Sequence, residues 1–189
     1  TWPLCWSHIS INSEPTGGVA VSSYFSHSGN GVRMEPAGDA AAEMILISPP
    51  LSPAVSTLKA SFWARSYSGT DQNALLVGTI TDTTNAASFT ALQTIAVSNA
   101  YQFYTVYFDD YTGSDIYIAW RHNSSDFPTN DVFIDDVLIE AIPACVEPYE
   151  PWLTGSSSNS ATLNWTDPLE NNTDYVIEAG AVGLTPGTG

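Results

Sequence analysis

Positively charged residues are scarce in this sequence. Its 189 residues include 4 Lys and Arg against 20 Asp and Glu, for a formal net charge of −16 at pH 7. Proteins bind duplex nucleic acid by neutralising its phosphates with Lys and Arg. The composition therefore argues against nucleic acid and anionic membrane surfaces as partners, and it leaves divalent cations and neutral ligands open.

Long apolar runs and helical periodicity are also missing. The sequence has no run of about 18 apolar residues, the length that a transmembrane helix needs, so we predict no membrane insertion. The first residues lack the charged and apolar regions of a signal peptide, and we expect a mature product or a piece of a longer chain. No long segment repeats apolar residues at helical spacing, and 12 Pro and 13 Gly punctuate the whole length.

Cysteine is nearly absent as well. The two cysteines, Cys5 and Cys145, stand near the two ends of the predicted first unit. If the first and last strands of a sandwich lie side by side, the two thiols form one disulfide. The alternative is two free, half-buried thiols.

Short alternating runs of apolar and polar residues are plentiful. Within 58–65, Leu58, Phe62 and their alternate neighbours share one face, whereas Trp63 and Arg65 lie on the other. Comparable runs occur at 19–25, 31–34, 43–47, 74–81, 93–97, 102–108, 115–122 and 132–139. Eight or nine short strands at this spacing predict an all-β antiparallel sandwich or barrel.

A domain boundary is predicted after Ile142. Three prolines within 143–151 are typical of an extended linker. Beyond it, 152–189 contains two strand-like runs at 160–165 and 174–178. This second unit is too short for an ordinary sandwich, so we expect it to be truncated.

The first unit resembles the jelly-roll modules of the MAM type and of the bacterial cleaved-adhesin or choice-of-anchor type. The resemblance rests on six segments in order, at 3–6, 47–50, 58–65, 77–82, 117–122 and 133–137. The Ile-Asp-Asp-Val sequence of the last segment is the most specific of them. The resemblance implies an antiparallel jelly-roll β-sandwich over 1–142.

The second unit resembles the start of a fibronectin type III domain. Residues 161–165 match its Trp-bearing early strand and 175–178 its third strand. The resemblance implies a partial fibronectin type III-like sandwich. Such pairs of modules occur in large multidomain proteins exported by Bacteroidota-like bacteria, so it also implies an extracellular or cell-surface location.

Asp135 and Asp136 raise a packing problem. Adjacent strand residues point to opposite faces, which places Asp136 with Val132 and Ile134 and places Asp135 with Phe133. One of the two carboxylates must then lie among apolar neighbours. Backbone N–H groups, an arginine (Arg33, Arg65 or Arg121) or a cation are the usual partners for such a group.

Calcium is the cation that suits such a carboxylate best, because it binds six to eight oxygen ligands. The similar adhesin and MAM modules bind calcium through an aspartate of the final strand. That resemblance implies Asp136 as the first ligand and Asp135 as the second. Glu14 is a further candidate, because we expect its segment to run near the final strand. We expect a structural calcium ion.

Aromatic and basic residues form a second candidate site. Trp63 and Arg65 share one strand face, and Tyr117 and Arg121 share another. Aromatic rings beside arginines are suited to stack on sugar rings and to bind their hydroxyls. The alternative is that this face is a second, more aromatic core face.

Catalytic and modification motifs are few. His8, His27 and His122 show no zinc spacing, and no Gly-x-Ser-x-Gly is present, so we predict no enzyme activity. The segment 82–84 resembles the O-glycosylation acceptor of Bacteroidota, which implies Thr83 as a modified residue.

Three functions remain open at this point. The first is an extracellular adhesion or carbohydrate-binding module, stabilised by calcium, of a larger surface protein. The second is a structural subunit of a surface fibre, whose faces meet neighbouring protein subunits. The third is an accessory domain of a secreted hydrolase.

Overall fold

The computed structural model describes residues 3–12, 14–69, 72–144, 146, 148–167, 169, 175, 177, 178 and 180. The chain divides into two compact units, Thr1–Ile142 and Pro143–Gly189. No helix among the described residues has the length and apolar character needed to cross a membrane.

The first unit consists of two five-stranded antiparallel sheets. Its strands are β1 Ser7–Ile11, β2 Gly18–Ser22, β3 Gly31–Glu35, β4 Glu43–Ile47, β5 Leu58–Ser66, β6 Gln72–Ile80, β7 Phe89–Val97, β8 Gln102–Tyr107, β9 Ile118–His122 and β10 Val132–Ala141. The strand order is β1-β4-β9-β6-β7 in the first sheet and β2-β3-β10-β5-β8 in the second sheet. The prediction of an all-β antiparallel sandwich is confirmed.

The main core lies between the two sheets. Phe62 of β5 and Trp120 of β9 are fully buried, and their rings meet edge to face with centroids 5.8 Å apart. The alternate residues Leu58, Ala60 and Ala64 of β5 belong to the same apolar cluster. The predicted inward face of 58–65 is therefore confirmed, and Trp63 and Arg65 lie on the outer face of the second sheet.

Two N-terminal segments differ from the prediction. The edge strand β1 buries only Ile9 well, so the local sequence gives it little apolar alternation. The predicted strand over 19–25 ends at Ser22 instead. The chain turns away because Phe25 has a positive φ of 52°, a conformation that a β-strand does not contain.

Strand β10 contains a β-bulge that changes which residues face the core. Asp135 pairs with Trp63 and Leu138 with Ser61, so Asp136 and Val137 together oppose the single residue Phe62. Asp136 has a positive φ of 49°, which Asp tolerates better than most residues do. The extra residue reverses the alternation that the sequence predicts.

The predicted faces of this strand are therefore wrong beyond the bulge. Val137 and Ile139 pack against the core with Val132 and Ile134, whereas Asp136 is exposed. Asp135 is the buried carboxylate, with 6% of its surface exposed.

The described part of the second unit is a β-hairpin. Strand β11, Tyr149–Ser156, pairs antiparallel with β12, Ala161–Thr166. Because β11 begins at Tyr149, the predicted linker over 143–151 is shorter than expected. The Trp165 and Tyr175 rings meet with centroids 5.0 Å apart. Residues 174 and 176 of the predicted strand over 174–178 lie outside the described residues, and the fibronectin type III-like assignment stays a prediction.

A buried histidine lies at the end of β9. His122 is 1% exposed, with Nδ1 3.1 Å from Ser124 Oγ and Nε2 2.7 Å from the Asn130 carbonyl oxygen. Because a carbonyl only accepts, Nε2 carries the proton and Nδ1 accepts from the hydroxyl. Ser124 is also buried, so this Ser–His pair stabilises the interior and presents no nucleophile at the surface.

We expect His122 to make the first unit sensitive to mild acid. Burial lowers the pKa of His122 to about 4 from 6.5, although the hydrogen bond to Asn130 opposes the shift. The unfolded state therefore binds more protons between these pH values, and the free energy of unfolding falls by up to about 3 kcal/mol as the pH drops through them.

Urea unfolding of the wild type and of His122→Gln at pH 7, 5.5 and 4 measures this loss. The variant lacks the titrating ring, so its free energy of unfolding should change less over the same range. Parallel pH profiles for the two proteins would show that His122 is not the group responsible.

Candidate functional site

The outer face of the second sheet carries a concentration of aromatic rings. We call this surface the aromatic face; it consists of Tyr24, Phe25, Trp63, Tyr67, Tyr101 and Phe103. Four of its rings are well exposed: Phe103 at 56%, Tyr24 at 50%, Tyr67 at 49% and Phe25 at 39%. Large exposed apolar patches on a folded protein often mark binding surfaces.

The loop over residues 23–30, between β2 and β3, covers part of this face. The Phe25 ring lies 4.4 Å from Tyr24, 5.6 Å from Phe133 and 5.8 Å from Tyr67, measured between centroids. Phe133 is only 2% exposed although it points outward from β10. The loop therefore forms a small apolar cluster outside the main core.

The Asp135 carboxylate anchors this loop to the sheet. Its Oδ2 atom accepts hydrogen bonds from the backbone N–H groups of His27 at 2.8 Å and of Ser28 at 3.1 Å. Its Oδ1 atom accepts from the Asp136 N–H at 2.8 Å. Three backbone donors thus satisfy the buried charge, which is one of the three solutions that the sequence left open.

Asp136 adds a second, exposed contact to the same loop. Its two carboxylate oxygens lie 2.6 Å from Ser28 Oγ and 2.8 Å from His27 Nδ1. Hydrogen bonds from Ser28 and then from His27 hold the pKa of Asp136 below its ordinary value. The two adjacent aspartates are therefore hydrogen-bonded to the same two loop residues.

Trp63 is partly covered by neighbouring rings and so offers little free surface for stacking. The His27 imidazole stacks on the Trp63 indole with centroids 4.2 Å apart and planes 14° apart. The Phe103 ring lies 5.5 Å from the indole on the neighbouring strand β8. A ligand would therefore meet Phe103 first, with Trp63 half-buried behind it.

Arg65 lies between two rings of the aromatic face. Its guanidinium carbon is 4.4 Å from the Phe25 centroid and 5.9 Å from the Tyr101 centroid. The Tyr101 hydroxyl donates to the Phe25 carbonyl at 2.5 Å, which ties the loop to the start of β8. Burial, followed by the nearby Asp135 charge, raises the pKa of Tyr101 to about 12, so the hydroxyl remains a donor.

Tyr117 and Arg121 do not belong to this surface. Residue 117 immediately precedes β9, and Arg121 lies within it, on the outer face of the first sheet, so a single site that combines them with Trp63 and Arg65 is wrong. Arg121 is ion-paired with Glu43 at 2.6 Å. Tyr117 packs against a buried cluster formed by Ile9, Ile45, Ile47, Ile80, Ala86 and Ala119. The alternative of a second core face describes Tyr117.

The described residues do not form a calcium shell as they stand. Both carboxylates of the Asp135–Asp136 pair already have protein donors, and Glu14 is exposed, with its N–H bound to the Asn12 Oδ1 atom at 2.7 Å. Among the residues that the structure describes, no three acidic, His or Cys side chains converge on one point. Calcium binding therefore stays a prediction.

The remaining predicted sites are placed only in part. Cys5 is exposed, and Cys145 lies outside the described residues, so the disulfide stays a prediction. Thr83 is half-buried in the loop after β6. The neighbouring Asp82 carboxylate accepts hydrogen bonds from the Thr84 backbone and hydroxyl at 2.9 and 2.7 Å. Modification of Thr83 also stays a prediction.

Most residues of the aromatic face were missed from the sequence. Phe103 lies within the predicted strand 102–108, but both faces of that segment carry aromatic residues, so alternation alone does not show which face is outward. Tyr24, Phe25 and His27 lie in a loop whose position depends on distant residues, so the local pattern does not place them either.

Comparison with known proteins bears on the fold. No protein-family model matches the sequence, and no curated protein matches it. The K2 cleaved adhesin domain of Lys-gingipain is similar in structure, with 20% identity, a TM-score of 0.53, and coverage of 71% of this chain and 89% of that one. The first unit shares the fold of that domain.

Two further solved structures are similar to this chain. The K1 cleaved adhesin domain of Lys-gingipain from Porphyromonas gingivalis W83 has 19% identity and a TM-score of 0.52, over 75% of this chain and 94% of that one. A family 11 carbohydrate-binding module from Clostridium thermocellum has 13% identity and a TM-score of 0.49, with coverage of 75% of this chain and 90% of that one. The latter is too distant to inform on a ligand.

We expect Asp135→Asn to destabilise the first unit by about 2 kcal/mol, because the amide replaces a buried charged acceptor of three hydrogen bonds. The matched variant Asp136→Asn changes an exposed neighbour and should cost less than about 0.5 kcal/mol. Urea unfolding at pH 7 measures both. Equal losses in the two variants would contradict the anchoring role of Asp135.

Proposed function

We propose that the first unit is an extracellular, non-catalytic adhesion module that binds carbohydrate through its aromatic face. The observation that carries the proposal is the presence of four exposed rings on one face of one sheet, with the Arg65 guanidinium stacked on one of them, Phe25. Sugar rings present apolar C–H faces that stack on aromatic side chains, while their hydroxyls need polar partners at the rim. This surface offers both.

The rigidity of the face supports this function. Phe25 packs on the buried Phe133 and its carbonyl accepts from Tyr101, and Trp63 is held between His27 and Phe103. Rings that are already fixed lose little conformational entropy when a ligand arrives. A weak but specific interaction with a sugar is the expected result.

The fold agrees with a module of a larger surface protein, since adhesin domains share it. The net charge of −16 keeps such a protein soluble outside the cell. A fibre subunit would pack the same exposed rings against a neighbouring protein subunit. An adhesion module and an accessory domain of a hydrolase would both bind carbohydrate with them. The binding partner, protein or carbohydrate, therefore distinguishes the fibre subunit from the other two functions.

Truncation of the exposed rings tests the proposal. In a glycan array followed by titration calorimetry, the wild type should bind at least one glycan. Phe103→Ala and Tyr67→Ala should each weaken that binding by about 5- to 100-fold, because one stacked ring contributes about 1–3 kcal/mol. Trp152→Ala, which removes an exposed ring of the second unit, serves as the matched control and should bind unchanged.

Failure of the wild type to bind any glycan would contradict the proposed function. If the protein then self-associates at micromolar concentration and Phe103→Ala abolishes the association, the fibre-subunit function is favoured. Analytical ultracentrifugation of the wild type and the variant makes that distinction.

Calcium binding is a separate proposal, supported by the resemblance and by the exposure of Asp136. An ion at Asp136 would have to replace the Ser28 hydroxyl and the His27 ring. Melting curves in calcium and in EGTA test it: a metal that binds only the folded state raises the Tm, and Asp136→Asn should remove the increase. Equal Tm values in calcium and EGTA would overturn the proposal.

A further inference from the structure

Arg65 differs from the other Lys and Arg side chains in having no acidic partner among the residues that the structure describes. Arg33 is ion-paired with Glu35 at 2.9 Å and with Asp131 at 2.6 Å. Lys59 and Arg121 are likewise paired, with Glu140 and Glu43. Among the residues that the structure describes, Arg65 makes no ion pair, although the chain contains 20 acidic residues.

The guanidinium of Arg65 is nevertheless fixed in position. It stacks on Phe25 and lies near Tyr101, and its Nε atom donates to the Ser66 carbonyl at 3.1 Å. A guanidinium has five N–H donors, and within the described part of the chain the four on its terminal nitrogens have no acceptor. The side chain is partly exposed, so these donors can reach a ligand.

A fixed guanidinium with free terminal nitrogens is suited to one kind of group. Its two parallel N–H bonds match the two oxygens of a carboxylate, and stacking on aromatic rings holds the plane in place. The exposed Phe25 ring contacts the guanidinium, and the exposed Tyr67 ring lies 5.8 Å from Phe25 between centroids, so either ring can stack on the sugar that bears the carboxylate.

From these contacts we infer that the aromatic face binds a sugar ring that carries a carboxylate, with Arg65 as the residue that selects it. The inference rests on the proposed function and adds the class of ligand to it. Uronic acids and sialic acids both carry such a carboxylate. One pair of acidic and neutral ligands for each class distinguishes between them.

The acidic groups nearby do not cancel this selectivity. The Asp131 charge is paired with Arg33, and the Asp135 charge is surrounded by three backbone donors. Asp136 is hydrogen-bonded to His27 and Ser28. More distant charges are screened beyond about 8 Å at physiological salt. A single carboxylate should therefore bind, whereas a dense polyanion would be repelled by the net charge of −16.

Two pairs of ligands test the inference on the full chain. One pair is a disaccharide that carries a single uronic acid and the methyl ester of that disaccharide, and the other is sialyllactose and lactose. By titration calorimetry the wild type should bind the acidic member of one pair about 10- to 100-fold more tightly, because hydrogen bonds to a charged partner are the strong ones. The pair that shows the preference identifies the source of the carboxylate.

Variants of Arg65 assign the preference to this residue. Arg65→Gln should remove the preference, so that the variant binds the acidic and the neutral member with about equal affinity. Arg65→Lys keeps the charge without the planar fork, so it should retain only part of the preference. Arg121→Gln removes an arginine that is already paired and should leave the preference intact. Melting curves confirm that each variant is folded.

The outcomes separate this inference from the proposed function. Equal binding of acidic and neutral members overturns the inference and leaves carbohydrate binding in place. An acid preference that survives in Arg65→Gln also overturns it. Tighter binding of a sulfated sugar than of either acid overturns the assignment of a carboxylate. If no glycan binds at all, the proposed function itself fails.

Discussion

The Asp135 carboxylate connects the last strand of the first unit with the loop that forms much of its aromatic face. Three backbone N–H groups point at it, two from the loop and one from Asp136 within the bulge. A buried carboxylate without such donors would be costly, and the loop amides would lose their acceptor as well. Because the loop carries Phe25 and His27, this interaction helps to hold the rings that stack on Arg65 and Trp63.

Much of the fold follows from local sequence pattern. The segment 58–65 alternates so regularly that its buried and outward faces can be assigned from the residues alone, and β5 obeys that assignment with Phe62 inside and Trp63 outside. Alternation of period two depends only on the geometry of a strand, so it is readable wherever one face is buried. The need for a partner at the Asp135–Asp136 pair was likewise predictable.

The rest depends on features that the local pattern does not encode. One bulge in β10 inverted the predicted faces of Asp136 and Val137, and nothing in the Asp-Asp pair marks where an extra residue enters. Trp63 and Tyr117 both face outward as expected, but their sheet membership follows from strand order, which is a long-range property. Sequence reasoning therefore combined residues from two separate surfaces into one candidate site.

The hydrogen bonds between the loop and Asp135 and Asp136 also bear on when the aromatic face forms during synthesis of the chain. The contacts join residues 107 to 109 positions apart, close to the two ends of the first unit. Contacts between such distant residues form late, because the intervening chain must be ordered first. A ribosome or an export channel that releases the chain from its N-terminus would deliver Phe25 and His27 long before their anchor. The aromatic face therefore takes shape only when synthesis or export has passed residue 136.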